Sequence, residues 1–469
     1  MSRGKIDRSR KKRTRSRVAL SILFFLALSL FSGIVIHGQS SAVDPGLRGG
    51  PPGAGGEIDG LTVDQGLTFE QNLGNFAEVN TVKVSNGVGK LPLVGLGPTF
   101  DSNSCASCHA QPAIGGSSPA VNNLFSVFQV HHAQNTMPFF ETLNGPTVIA
   151  RFPFQADGTT PDGSVHRLFV ITGRDDAGTC SLPQPDFVAA AAQNNLILRQ
   201  TTPMFGAGLV EIIQNNAIIS NMNANASEKL ALGISGHPNY TAQDGTIGRF
   251  GWKAQTRSLM MFAAGAYNIE EGVTNEFFPS ESNAVPGCLI NPLPEDHTNF
   301  DFGPKPEPNI FTGDPERFAM LARFFKPPTP APPTQSTING QNQFNNIGCV
   351  YCHTTSFTTP AASVNALSNI QANLFSDLLV HHMGPCLADS VVQEAAKGGE
   401  FRTAPLWGVG QRIFFLHDGR TSNIVQAVED HFCAGNGVYP DSEANAVINA
   451  FNALSVSDQQ DLINFLRSL

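Results

Sequence analysis

The stretch Cys349-Val350-Tyr351-Cys352-His353 is a Cys-x-x-Cys-His run, and the pattern occurs again as Cys105-Ala106-Ser107-Cys108-His109. Cysteines three positions apart lie on one turn of a helix, where both thiols can add to the vinyl groups of one haem. The histidine that follows can then swing under the ring and ligate the iron. The two runs therefore predict two covalently bound c-type haems.

Zinc ribbons and dithiol redox centres also use Cys-x-x-Cys pairs. A zinc site would have to join two distant pairs and ignore the histidine after each one, and a dithiol centre would need a βαβ pattern that is not visible. The flanks of the motifs repeat as well, because Phe100 and Phe344 each stand five residues before a first cysteine. A ring at that place could close one edge of a haem pocket. Two duplicated haem-binding units are the simplest architecture.

The N-terminal region has the order of an export signal. Its first 17 residues carry nine Lys or Arg and one Asp, and residues 18–36 follow as an apolar run. Small residues at 40–42 favour cleavage after Ala42, which would place the protein in the periplasm. The apolar run is also long enough to span a bilayer, so a retained membrane anchor is the alternative. Residues 1–42 are therefore a predicted signal peptide or N-terminal anchor.

The remaining chain is acidic. The full sequence has 29 Lys plus Arg and 38 Asp plus Glu, and residues 1–42 hold nine of the former and one of the latter, which leaves a formal charge of −17. This charge argues against nucleic acid as a partner and favours steering of a basic electron-transfer protein. Four further cysteines could form two disulfides in any of three pairings, and they are Cys180, Cys288, Cys386 and Cys433.

Composition along the chain predicts the domain limits. Residues 43–95 are Gly-rich at first and are expected to form an extended lead-in, and residues 96–325 the first haem domain with an insertion. The Pro-rich residues 326–336 are the predicted linker, because proline cannot continue a helix. Residues 337–469 are the predicted C-terminal cytochrome c domain.

Local patterns add a few elements. Residues rich in β-branched side chains predict short strands at 147–152 and 165–172, whereas 187–198 predicts a helix. A closing amphipathic helix is predicted with a capping box at Ser457 and Gln460. Its apolar face consists of Leu462, Phe465, Leu466 and Leu469. We expect this helix to pack across the one that carries the second pair of haem cysteines.

Several stretches further along the chain resemble one family. They are residues 249–255 (Arg-Phe-Gly-Trp-Lys-Ala-Gln), 272–275 (Gly-Val-Thr-Asn), 376–384, 402–408 (Arg-Thr-Ala-Pro-Leu-Trp-Gly) and 416–420 (Leu-His-Asp-Gly-Arg). In this order they resemble the di-haem oxidoreductases, relatives of bacterial di-haem cytochrome c peroxidases and of the di-haem enzyme of methylamine utilisation. The resemblance implies a mainly α fold, with two cytochrome-c-like haem domains and a loop-rich middle section that contains short strands.

The resemblance also implies a sixth iron ligand. In the peroxidases, a segment similar to residues 402–419 leads to a methionine that binds the electron-transfer haem. His431 stands at the corresponding place, which implies a bis-histidine haem at His353. Two imidazoles stabilise ferric iron better than a His/Met pair, so its reduction potential should be lower. Met383 and His381 are competing ligands, and His431 could instead be an ordinary surface or core residue.

The haem on His109 would be the reactive one. The peroxidases use a glutamate there to move a proton between the two peroxide oxygens. Glu270 is the best match and Gln255 matches an upstream glutamine, although their separation is larger than in the peroxidases. Glu270 could equally be a solvated helix end. His131 and His132 have the spacing of a dissociable distal ligand, or of hydrogen-bonded interior residues.

The sequence thus predicts an exported di-haem c-type oxidoreductase, peroxidase-like, that relays electrons from the His353 haem to the His109 haem and reduces hydrogen peroxide. Its expected partners are a small redox protein, as electron donor or acceptor, and a small-molecule oxidant. Trp252 or Trp407 could pass electrons between the haems or simply anchor the core. A calcium ion bridges the domains of the peroxidases, which makes calcium a candidate cofactor, although no acidic ligand loop is recognisable. The alternatives are a non-catalytic electron-transfer cytochrome and an oxidase of a protein or organic substrate.

Overall fold

Helices are the predominant regular elements of the described part of the chain, which has thirteen α-helices and ten short strands. In this computed structural model it comprises residues 41–83, 95–242, 244–281, 285–301 and 309–469. Most of the predicted export segment, residues 1–40, lies outside it. None of the described helices combines the length and the apolar character needed to cross a bilayer.

The elements are numbered in chain order. The helices are α1 Val63–Phe76, α2 Cys105–Cys108, α3 Phe187–Ala192, α4 Ala207–Ile212, α5 Asn215–Asn223, α6 Ala226–Leu232, α7 Leu259–Glu270, α8 Asp314–Phe324, α9 Gln335–Asn346, α10 Gly384–Leu387, α11 Ile424–Glu429, α12 Asn445–Ala453 and α13 Val456–Ser468. The strands are β1 Thr99–Phe100, β2 Val148–Arg151, β3 Phe169–Val170, β4 Ile197–Gln200, β5 Asn299–Asp301, β6 Asn309–Phe311, β7 Phe357–Thr358, β8 Gln371–Ala372, β9 Val380–His382 and β10 Glu400–Arg402.

The strands pair in twos and antiparallel, β1 with β3, β2 with β4, β5 with β6, β7 with β8 and β9 with β10. The strands predicted at 147–152 and 165–172 are confirmed as β2 and β3. The helix predicted at 187–198 is only half confirmed, because α3 ends at Ala192. Asn194 has a left-handed backbone (φ 53°), which terminates a helix, and the following residues pair with β2 as β4.

The predicted extended lead-in, residues 43–95, is wrong in one part because it contains the 14-residue helix α1. Thr62 caps this helix: its side chain accepts a hydrogen bond from the backbone N–H of Gln65, whose side chain accepts one from the backbone N–H of Thr62. The buried residues Phe69 and Phe76 then lie on one face of α1, which packs against α8. The Gly-rich stretch before α1 obscured this pattern in the sequence.

The Pro-rich linker is held by the extended residues before α1. The backbone N–H of Lys326 donates to Gly56 at 3.0 Å, and that of Thr329 donates to Gly53 at 3.0 Å. All described residues belong to one compact unit. The predicted limits between the domains therefore stay a prediction.

The C-terminal region is built on the contact between α9 and α13, where the rings of Phe344 and Phe465 lie 5.5 Å apart. The predicted apolar face of α13 is buried, as expected for Leu462, Phe465, Leu466 and Leu469. The predicted capping box at Ser457 is wrong. Ser455 has the extended backbone of an N-cap and accepts a hydrogen bond from the N–H of Asp458, so Ser457 already lies inside the helix.

Candidate functional site

His353 follows a short 3₁₀ turn, Cys349–Tyr351, that comes directly after α9. Gly348 precedes this turn with a left-handed backbone (φ +100°), a conformation that favours glycine. The Nδ1 atom of His353 lies 3.0 Å from the carbonyl oxygen of Phe375. A carbonyl only accepts hydrogen bonds, so Nδ1 carries the proton and Nε2 is free to bind a metal.

A cavity of about 1440 Å³, partly open to solvent, adjoins this histidine and is named the His353 cavity. Its wall is mainly apolar and includes the ring of Phe344, 6.1 Å from the ring of His353. The wall also holds the motif cysteines and the three candidate sixth ligands, namely Cys349, Cys352, His381, Met383 and His431. The Nδ1 atom of His431 lies 2.7 Å from the carbonyl oxygen of Ala427, so its Nε2 is also free. Burial lowers the pKa of His353 to about 4 and lowers that of His431, so both imidazoles are neutral.

His381 differs from these two histidines because carboxylates engage both of its ring nitrogens. Nε2 lies 2.9 Å from Asp377 and Nδ1 lies 2.8 Å from Glu443. Burial alone would lower the pKa of His381, but Cys352 and Asp377 outweigh it and raise the pKa well above its usual range. Burial would likewise raise the pKa of Glu443, yet the hydrogen bond and the charge of His381 lower it to about 2. This histidine is therefore a cation without a free nitrogen lone pair for a metal.

The first motif has the same local geometry. The Nδ1 atom of His109 lies 3.1 Å from the carbonyl oxygen of Gly116, and burial lowers the pKa of His109 to about 4. Its ring lies 5.7 Å from that of Phe76 at the end of α1. Phe100, the predicted counterpart of Phe344, packs instead in an apolar cluster beside Cys108. The ring beside His109 is therefore that of Phe76 in α1, and not that of Phe100 as the sequence had predicted.

A second cavity, of about 1100 Å³, adjoins this motif and is named the His109 cavity. Cys105, Glu270 and Glu271 contribute to its wall. Burial raises the pKa of each glutamate to about 7. Glu271 accepts hydrogen bonds from Asn80 and, at 3.1 Å, from the Cys105 thiol. The charge of Arg151 acts against the shift at Glu270.

The two cavities share part of their walls, because Trp252, Arg402, Ala404 and Arg412 line both. The indole N–H of Trp252 donates to the carbonyl oxygen of Gln200 at 2.9 Å. The guanidinium groups of Arg402 and Arg412 are buried, and burial lowers the pKa of each to about 10. Arg402 donates hydrogen bonds to the carbonyl oxygens of Gly251, at 3.0 Å, and Thr403, at 3.3 Å. No carboxylate in the described part of the chain forms an ion pair with Arg402 or Arg412. Two buried positive charges therefore adjoin the cavities without a carboxylate counter-ion, which is costly unless a bound anion compensates.

A family model described as "Di-haem oxidoreductase, putative peroxidase" matches residues 169–469, more than half of the chain. The chain belongs to this family. No curated protein matches this di-haem oxidoreductase. Among solved structures, a MauG-like protein associated with microbial copper homeostasis aligns over 57% of this chain and 89% of its own, with 16% identity and a TM-score of 0.30. A chain of Kuenenia stuttgartiensis hydrazine synthase aligns over 57% of this chain and 87% of its own, with 15% identity and a TM-score of 0.22.

Membership implies haem cofactors, and the residues of this di-haem oxidoreductase fit them. Each cavity has a neutral histidine with a free Nε2 atom next to motif cysteines, which is the donor set that haem iron and its vinyl groups require. The buried guanidinium groups of Arg402 and Arg412 suit the propionates of a haem, since Arg pairs well with carboxylates. The residues of the walls therefore suit the iron and the vinyl groups of a haem as well as its propionates.

Three candidate residues of the oxidoreductase lie away from the His109 cavity. The side-chain oxygen of Gln255 accepts a hydrogen bond from the N–H of Lys253 at 3.3 Å, and Gln255 is not among the described residues of the wall. His131 and His132 are exposed, and the imidazole of His132 pairs with Asp175 at 3.0 Å. The structure thus brings Glu270, but not these three residues, to the cavity.

Among the described residues, no group of three or more His, Cys, Asp or Glu side chains could hold a metal ion, and calcium stays a prediction. Of the three disulfide pairings that the sequence left open, the structure has Cys180 with Cys288 and Cys386 with Cys433.

Sequence reasoning missed three residues of these cavities: Phe76, Glu271 and Arg412. The capping box and helical spacing of α1 could have indicated Phe76. Glu271 adjoins the predicted Glu270, but only the fold shows that both neighbouring carboxyls line the cavity at the end of α7. No local pattern marks Arg412, because only the folded chain shows that its charge lacks a partner.

Proposed function

We propose that this oxidoreductase is an exported, peroxidase-like enzyme that reduces hydrogen peroxide in the His109 cavity with electrons received at the His353 cavity. Two covalently attached haems would supply the redox chemistry. The two Cys-x-x-Cys-His runs would attach them, with His109 and His353 as iron ligands and His431 as the sixth ligand at the second site. The two disulfides support an oxidising compartment, as does the basic and apolar order of residues 1–42.

The observation that carries the proposal is a pair of carboxyls in the wall of the His109 cavity, the half-buried Glu270 and the buried Glu271, with pKa values of about 7. A group that moves a proton from one peroxide oxygen to the other must gain and lose it near neutral pH. Glu270 suits this role better, because Asn80 holds Glu271 by a hydrogen bond. Glu270 is also the last residue of α7, where the helix dipole disfavours a negative charge.

Electron delivery would use the wall that the cavities share. Trp252 lines both cavities, and its hydrogen bond to Gln200 fixes the indole there. Trp407 lines only the His109 cavity and packs in an apolar cluster. We therefore assign the relay to Trp252 and a packing role to Trp407. The acidic chain favours a small basic redox protein as the electron donor.

The test is the reaction of the holoprotein with hydrogen peroxide in Glu270→Gln and in the neighbouring control Glu271→Gln. Glu270→Gln should slow the reaction about 100-fold or more, because glutamine cannot accept a proton. Glu271→Gln should have a smaller effect. Unchanged peroxide kinetics in Glu270→Gln would remove it from the mechanism. A loss confined to Glu271→Gln would move the role to that residue.

Electron paramagnetic resonance decides between an enzyme and a plain electron carrier. A peroxidase-like enzyme should show a high-spin ferric signal that peroxide consumes, together with a low-spin signal from the other haem. Two low-spin signals that ignore peroxide in the oxidised and the half-reduced protein would leave an electron-transfer cytochrome.

A further inference from the structure

The disulfide between Cys386 and Cys433 lies next to the proposed ligand His431. Cys433 stands two residues after His431, whereas Cys386 belongs to α10, three residues after Met383 of the same cavity wall. The bond therefore ties the segment that carries His431 to a segment of the wall 47 positions earlier in the chain.

The contacts around this disulfide fix the backbone of the ligand segment. The hydroxyl of Ser442 donates to the carbonyl oxygen of His431 at 2.7 Å. The side chain of Asn445 accepts from the N–H of Cys433 at 2.9 Å and donates to its carbonyl at 3.0 Å. A Cβ atom added at Gly384 would lie 2.9 Å from the Cβ of Cys433, so the two segments touch closely. The S–S bond adds a covalent link to these hydrogen bonds and close contacts.

The imidazole of His431 has its own hydrogen bond to Ala427, at 2.7 Å and within the same short segment. That bond sets the direction of the ring, but it does not hold the segment against the rest of the wall. We propose that the Cys386–Cys433 disulfide is a positioning element that holds His431 as the sixth ligand at the His353 cavity. This inference rests on the proposed role of His431.

The other disulfide provides a matched control. Cys180 and Cys288 are buried in an apolar cluster with Phe100 and Phe169, and neither is among the described residues that line the two large cavities. This bond spans 108 positions, against 47 for the first. Removing the longer cross-link should release at least as much chain entropy in the unfolded state. A general loss of stability should therefore be no smaller in the control.

The experiment compares the full-length holoprotein as wild type, Cys386→Ser/Cys433→Ser and Cys180→Ser/Cys288→Ser. Electron paramagnetic resonance of the oxidised state should show loss of low-spin signal at the His353 haem in the first variant only. Cyanide should bind that haem about tenfold faster or more, since weakening the support of a ligand typically costs 10–100-fold in metal affinity. Wild-type spectra and cyanide kinetics in Cys386→Ser/Cys433→Ser would overturn the inference, and so would equal changes in both double variants.

A second experiment uses the wild-type protein, so its outcome does not depend on whether a variant folds. Cys386 is exposed, so dithiothreitol can reach the bond in the wild-type holoprotein. The reagent is oxidised to its cyclic disulfide while the S–S bond breaks and each protein sulfur takes up a proton. The new thiols are then alkylated, the reagent is removed and the haems are reoxidised with ferricyanide. The low-spin signal should decrease. An intact signal, with alkylation at Cys386 and Cys433 verified by mass spectrometry, would overturn the inference.

His431→Ala separates this inference from the proposed function. If this variant keeps the low-spin signal, His431 is not the sixth ligand, and the disulfide then has no ligand to position. If it loses the signal while both disulfide experiments leave the signal intact, the ligand assignment stands and only the positioning role falls.

Discussion

Carboxyl groups line both large cavities, but only the one in the wall of the His353 cavity has a cationic partner. There Glu443 lies 2.8 Å from His381, which also pairs with Asp377, outside the described wall, at 2.9 Å, and the pKa of Glu443 is lowered to about 2. At the His109 cavity, Glu270 and Glu271 form no ion pair with another described residue, and burial raises their pKa to about 7.

This difference teaches that neighbours, rather than residue type, decide what a buried carboxyl does. A carboxylate that forms an ion pair with a cation stays charged and stabilises the fold, whereas an unpaired one exchanges its proton near neutral pH. The histidines divide in the same way. A second neutral imidazole, His431, faces the His353 cavity, while His109 is the one histidine among the described residues of its own cavity wall. This difference agrees with the proposed roles, stable ligation at the His353 cavity and proton transfer at the His109 cavity.

Removing His431 should have the largest effect on the difference between the two cavities. His431→Ala should convert nearly all of the low-spin ferric signal of the His353 haem to high-spin, because the second imidazole is lost. The signal of the other haem should not change in the same electron paramagnetic resonance spectrum. His381→Ala is the control, since it removes a histidine from the same wall whose nitrogens are both occupied. Conversion in that control, with none in His431→Ala, would exchange the two assignments.

Glu443→Gln tests whether the paired carboxylate is structural. The ordinary pKa of 4.5 falls to about 2 in the folded protein, so the pair stabilises the fold above pH 4.5 and loses this contribution as the pH falls through about 2. The variant should unfold about 3 kcal/mol more easily at pH 7, and the deficit should shrink toward pH 2. Urea unfolding at several pH values measures it. The exposed Glu394→Gln is the control. A deficit that does not depend on pH would show that packing, not charge, is lost.

Local sequence patterns predicted which residues of each motif lie together. The spacing within each Cys-x-x-Cys-His run places cysteine and histidine on one turn, whatever the rest of the chain does. The apolar face of α13 was predictable for the same reason. The position of His431 came from likeness to a family segment, and the structure places it in the wall beside His353.

Partners brought together by the fold could not be predicted. Phe76 contacts His109 from α1, a helix that the preceding Gly-rich stretch concealed in the sequence. Gln255 is not among the described residues of the cavity wall, although the family resemblance had matched it with Glu270. The pairing of Cys386 with Cys433 was one of three equal choices. Proton affinities depend on burial, which no local pattern gives, so Glu270 could not be distinguished from a solvated helix end.

The unpaired carboxyl of the His109 cavity predicts a pH dependence. A general base works only when ionised, and the pKa of Glu270 is raised to about 7. The rate constant for peroxide should therefore rise about tenfold per pH unit below that value and level off above it. Stopped-flow measurements from pH 5 to 9 would show the step, and Glu270→Gln should flatten it. A step that persists in Glu270→Gln belongs to Glu271 or to another group.

The smallest expected effect concerns the wall that joins the two cavities. Trp252→Phe loses the hydrogen bond to Gln200, worth about 1 kcal/mol, and removes the indole that borders both cavities. It should slow electron transfer between the haems severalfold, as measured by flash photolysis of the half-reduced protein. Trp407→Phe makes the same change of side chain in the wall of the His109 cavity alone and should leave the transfer rate unchanged. Equal transfer rates in the two variants would mean that the cavities exchange electrons without Trp252.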